Sequence, residues 1–139
     1  MAMYAAHQAY VCPQERSFAP VQHMGFYSEQ KILAYFPKIT SIQVPSLWSK
    51  EEAKRLQKSI DPDEKRLGGV MSYGLNNGWA AGNLYQVFLL TKKGDAETEW
   101  RPGRSPIEHL RRGRGSAFVH RHRYFTKASL MAANNTEQL

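Results

Sequence analysis

Residues 84–101 read Leu84-Tyr85-Gln86-Val87-Phe88-Leu89-Leu90-Thr91-Lys92-Lys93-Gly94-Asp95-Ala96-Glu97-Thr98-Glu99-Trp100-Arg101. The stretch 84–91 is apolar on both parities at its centre, which is the pattern of a strand buried on both faces. Lys92-Lys93-Gly94-Asp95 carries turn chemistry. Beyond it, Glu97, Glu99 and Arg101 alternate with Thr98 and Trp100, as in a strand with two unlike faces. The spacing predicts a buried strand, a hairpin turn and a return strand, and therefore antiparallel pairing.

Two helices are expected upstream. Ser49-Lys50-Glu51-Glu52 is a capping box, with Trp48 and Ala53 placed for a hydrophobic staple. Ala53, Leu56 and Ile60 form the apolar stripe of that helix. Asp61-Pro62 stops it and starts the next. Asp61 can cap, Pro62 suits the first helical position, and Asp63 and Glu64 suit the positive end of the dipole. Leu67, Val70 and Met71 make the second stripe, although Gly68-Gly69 weakens the helix by about 1 kcal/mol per glycine. Further upstream, 25–27 and 38–44 read as short strands, the second bracketed by Pro37 and Pro45. Residues 1–24 read as an irregular arm or as one short strand at 9–12.

Downstream, Pro102-Gly103-Arg104 breaks the return strand, and Ser105-Pro106-Ile107-Glu108 reads as a second capping box. It predicts a short helix to about Arg112, ended by Gly113. A strand over 116–125 and a last helix over 127–133 follow. Helices and strands are not regularly interleaved, so a doubly wound parallel sheet is not expected. The expectation is a single α+β domain over 25–135 with a tail at 136–139. Its sheet would be small, curved and mainly antiparallel, or a barrel, flanked by helices. This order is compatible with a PUA-like barrel by architecture, and no residue motif carries that analogy.

Bulk properties narrow the function. The chain has 139 residues, 42% apolar and 12% aromatic, which excludes wholesale disorder. No apolar run approaches the ~20 residues that span a bilayer, and no signal peptide is visible, so no membrane partner is expected. One cysteine, Cys12, permits no internal disulfide and favours a reducing, cytoplasmic setting.

The net charge of +7 is concentrated. Residues 101–127 hold eight Lys/Arg against Glu108 alone. Clustered guanidinium forks suit phosphates, whose counterions they displace. Arg101, Arg104, Arg111, Arg112, Arg114, Arg121 and Arg123 are the candidate phosphate contacts, with Ser105 at a helix N-terminus as an anion seat. Trp100, Tyr124 and Trp79, the last beside a flexible Asn-Asn-Gly turn, are the candidate stacking rings for bases.

The strand at 116–125 has no plainly apolar face. Arg121 and Arg123 fall on one side, and His120, His122 and Tyr124 on the other. His120 and His122 lie about 7 Å apart along such a strand, a spacing that suits acid–base work on a phosphodiester. The same pair could chelate zinc with Glu108 or His109, but no metal motif accompanies it. No dinucleotide or Walker fingerprint is present, so no cofactor is expected. The leading expectation is a small basic module that binds RNA or DNA and is not an enzyme. The alternatives are a metal-independent ribonuclease or phosphodiesterase using His120 and His122, and a protein-interaction module or homodimer that docks an acidic partner.

Overall fold

A computed structural model describes residues 2–13, 21–108 and 127–135. The fold is mixed α+β, and every strand ladder in the described residues is antiparallel. In chain order the elements are α1 (Ala2–His7), β1 (Ala9–Pro13), β2 (Tyr27–Ser28), β3 (Lys31–Ile32), β4 (Tyr35–Phe36) and β5 (Ile39–Leu47). Next come α2 (Lys50–Gln57), α3 (Pro62–Leu75), β6 (Leu84–Leu90), β7 (Glu99–Trp100), β8 (Ile107–Glu108) and α4 (Lys127–Ala132). Contacts divide the chain into two compact units: 1–17 with 39–92, and 18–38 with 93–139.

The first unit is a three-stranded sheet, β1-β6-β5, with α1, α2 and α3. β6 is its centre, which explains the apolar run read in the sequence: Val87, Phe88, Leu89 and Leu90 are all buried. The side chains of Val87 and Leu89 pack with Trp48, Ala53, Leu56, Val70 and Met71. Both helix starts form as their sequences dictate. The Ser49 hydroxyl accepts from the Glu52 amide at 3.0 Å, and Asp61 accepts from the Asp63 and Glu64 amides at 2.8 and 3.3 Å. The carboxylate of Glu52 is taken by Arg55.

Two local expectations for this unit are corrected. Ile60 is fully exposed, because α2 ends at Gln57 and leaves it in the link to α3. Residues 2–7 are a helix, tied down where the buried Tyr4 hydroxyl donates to the Thr91 carbonyl at 2.7 Å. The short-strand reading of 9–12 holds, as β1 pairs along β6 from Ala9 opposite Leu89 to Pro13 opposite Tyr85. The glycine pair does not break α3. A Cβ on Gly68 would lie 2.7 Å from the Gln57 nitrogen and 2.9 Å from the Ala53 oxygen, so this glycine lets α3 approach the α2 backbone. Gly74 does the same for the Trp48 ring, 2.4 Å from where its Cβ would stand.

The second unit is built from short ladders: β2-β3-β8, and β4 with β7. Its apolar cluster is Ile32, Phe36, Ile107 and Ala133, with Tyr27, Leu130 and Met131 packed against it. The hairpin expected at 92–95 does not form. β6 pairs with β1 and β5, whereas Glu99–Trp100 pairs with Tyr35–Phe36. The short helix expected from Ser105 is also overturned. Ser105 is extended (φ −90°, ψ 136°), and Ile107–Glu108 pairs with Lys31–Ile32 as β8. Ser105 precedes a proline, which disfavours the helical region for it, and burial of Ile107 in the cluster rewards the extended path. The described residues form no closed barrel.

Candidate nucleic-acid interface

The second unit gathers two rings and two cations from three short segments. β4 brings Tyr35 and β7 brings Trp100, and their register places them opposite each other. The ring centroids lie 5.3 Å apart at an interplanar angle of 47°. Lys93 sets its ammonium 4.8 Å from the Tyr35 centroid and 5.6 Å from that of Trp100. Arg104 sets its guanidinium carbon 4.3 Å from the Trp100 centroid. Both cations are within the range at which a ring quadrupole attracts positive charge.

The chain is bent to deliver Arg104. A 3₁₀ turn over Pro102–Arg104 carries Gly103 at φ 70° and Arg104 at φ 54°. Glycine adopts that left-handed region freely. An arginine does so at a cost of roughly 1 kcal/mol or more. The Arg104 amide donates to the Arg101 carbonyl at 2.9 Å and closes the turn.

Lys93, Asp95, Thr98, Trp100 and Arg104 line an open cleft of about 560 Å³. Lys93, Asp95 and Arg104 are exposed, and Trp100 is half-buried. Asp95 is held by the turn it makes, accepting from the Glu97 amide at 2.8 Å. Tyr35 is buried, which pushes its phenol above the ordinary value and keeps it neutral. Among the described residues neither Lys93 nor Arg104 pairs with a carboxylate.

The residues singled out from the sequence fall in different places. Trp100 and Arg104 meet in this cleft. Arg101 does not line it: it is 4% exposed, with Nε donating to the Leu130 carbonyl at 2.8 Å and its terminal nitrogens to the Ser105 and Ala133 carbonyls. Burial lowers its pKa, and its role here is a strut tying β7 to α4. Ser105 is exposed but caps no helix, so the anion seat expected there is absent. Trp79 belongs to the first unit, partly buried in a ring cluster with its centroid 6.1 Å from Trp48 and 5.1 Å from Tyr85. Arg111, Arg112, Arg114, His120, Arg121, His122, Arg123 and Tyr124 lie outside the described residues, as does His109. Lys93, Tyr35 and Asp95 were missed by sequence reading. Lys93-Gly94-Asp95 looked like turn chemistry alone, and only the β4–β7 pairing brings it beside Tyr35 and Trp100.

No protein-family model, curated protein sequence or solved structure matches this chain. No helix in the described residues is long and apolar enough to cross a membrane.

Proposed function

We propose that the protein is a small nucleic-acid-binding module that uses its arginine-rich segment for phosphates and Trp100 for a base. The observation that carries this reading is the Arg104 guanidinium 4.3 Å from the ring centroid of the half-buried Trp100, at the head of the most cationic stretch of the chain. Phosphate contact supplies affinity, and ring stacking adds recognition that no cation alone provides. Arg104, Arg111, Arg112, Arg114, Arg121 and Arg123 are the proposed phosphate ligands, with Tyr124 a second stacking ring. Arg101 is left out because its hydrogen bonds go to backbone carbonyls. A curved or closed, PUA-like sheet belongs to the same proposal; it would need the strand read at 116–125 to add to the small ladders described.

The test is a binding panel of single- and double-stranded RNA and DNA, run on the wild type and on the Arg121→Ala/Arg123→Ala variant. The double variant should weaken binding across all sequences and reduce its salt dependence, as loss of phosphate contacts does. Unchanged affinity in that variant would remove the arginines from the interface.

A further inference from the structure

We propose that the cleft lined by Lys93, Asp95, Trp100 and Arg104 seats one unpaired nucleotide and prefers guanine. This rests on the nucleic-acid reading and deepens it.

Three observations define the occupant. First, Trp100 is half-buried in the wall of a surface cleft with the Arg104 guanidinium over its ring, so a base that stacks there takes the place of that guanidinium. A base stacked inside a duplex cannot reach such a ring, whereas a base in a single strand or loop can. Second, the two cations sit on the aromatic pair itself, 4.3 Å from Trp100 for Arg104 and 4.8 Å from Tyr35 for Lys93. A phosphate attached to a base on Trp100 therefore falls within reach of both charges. Third, the wall carries one carboxylate, Asp95, and Asp95 is fixed through its bond from the Glu97 amide. A carboxylate repels phosphate, so the phosphate goes to Lys93 and Arg104 and the base edge turns toward Asp95. Guanine presents two adjacent N–H donors on that edge, which one carboxylate can accept together. Uracil presents a single N–H flanked by two carbonyl oxygens, which the carboxylate repels. Adenine presents one amino group beside an unprotonated ring nitrogen.

The experiment is fluorescence anisotropy with labelled ten-nucleotide oligouridylates carrying guanosine, adenosine or uridine at the centre. A duplex of the guanosine sequence is the fourth probe. The central-guanosine strand should bind at least about fivefold more tightly than the uridine strand, and more tightly than its duplex. Trp100→Ala should weaken binding of the guanosine strand about tenfold or more, the size expected for loss of one base–aromatic stack. Asp95→Asn should erase the difference between guanosine and uridine strands. Trp100 also packs on Tyr35, so Trp100→Ala can disturb the unit. Arg104→Ala, on an exposed turn, and Trp100→Phe, which keeps a smaller ring, are therefore measured beside it, with circular dichroism on each. Arg104→Ala should weaken every strand, and Trp100→Phe should recover most of the loss.

Equal affinity for duplex and single strand, or guanosine and uridine strands bound alike by the wild type, would overturn the cleft proposal while leaving nucleic-acid binding standing. Failure of all four probes to bind would overturn both.

Discussion

Arg101 shows how a residue type can mislead. In the sequence it is the first of eight cations in a basic run. In the fold it is buried, and its guanidinium bridges three backbone carbonyls from two segments of the same unit. The Arg101→Met variant keeps the bulk and removes the donors. It should lower stability by about 2–3 kcal/mol, the scale of losing charge-assisted bonds to backbone carbonyls, read as a shift in the urea midpoint. His7 makes a second prediction at this scale. It packs on Tyr73, with ring centroids 5.1 Å apart, and burial holds its imidazole below the ordinary pKa. The unfolded chain thus takes up the proton at higher pH than the folded one. Stability is full above the ordinary imidazole pKa and falls as the pH drops through it. The urea midpoint should decline from pH 8 toward pH 5, and His7→Gln should flatten that decline. A slope unchanged in His7→Gln would assign it to other groups.

At the scale of elements, two of the three helix starts read locally form as expected. Ser49 and Asp61 cap the helices they were expected to cap, because a cap is decided within four residues. β6 was legible because a central strand needs apolar residues on both faces. The misreading at Ser105 has a long-range cause. Ser105-Pro106-Ile107-Glu108 has the composition of a capping box, but Ile107 is drawn into an extended pairing with Ile32, far away in sequence. The β2–β3 loop was invisible for another reason. Glu29 and Gln30 both have positive φ, 51° and 62°, as a tight hairpin loop requires, yet neither is the glycine or asparagine that would announce it.

The glycines of α3 give a paired test at this scale. Gly68→Ala forces a Cβ against the α2 backbone and should destabilise by about 1–3 kcal/mol, as overpacking does. Its neighbour Gly69 meets only the His7 ring, at 3.4 Å. Gly69→Ala should therefore be neutral or stabilising by up to about 1 kcal/mol, through helix propensity. Thermal unfolding of the two variants should move in opposite directions or, at the least, differ clearly in size.

At the scale of the whole molecule, the chain visits each compact unit twice: 1–17 and 39–92 in one, 18–38 and 93–139 in the other. No composition shift marks those crossings, and this is why the sequence reads as a single run of elements. The same interleaving hid the ring pair beside the cleft. Trp100 and Arg104 were legible as ring and cation in a basic stretch, but Tyr35 joins them only through a two-residue ladder across 65 positions of sequence. Charge, by contrast, was legible at once. A net +7 gathered mostly in 101–127 is the basis on which an anionic partner is proposed.

The most direct measurement is the affinity of the wild-type chain for single-stranded RNA across a range of salt concentrations. Log affinity should fall linearly with log salt with a slope of about −3 or steeper, at roughly 0.7 per phosphate neutralised. A flat line, or no binding at the lowest salt, would contradict a phosphate-binding role for this segment.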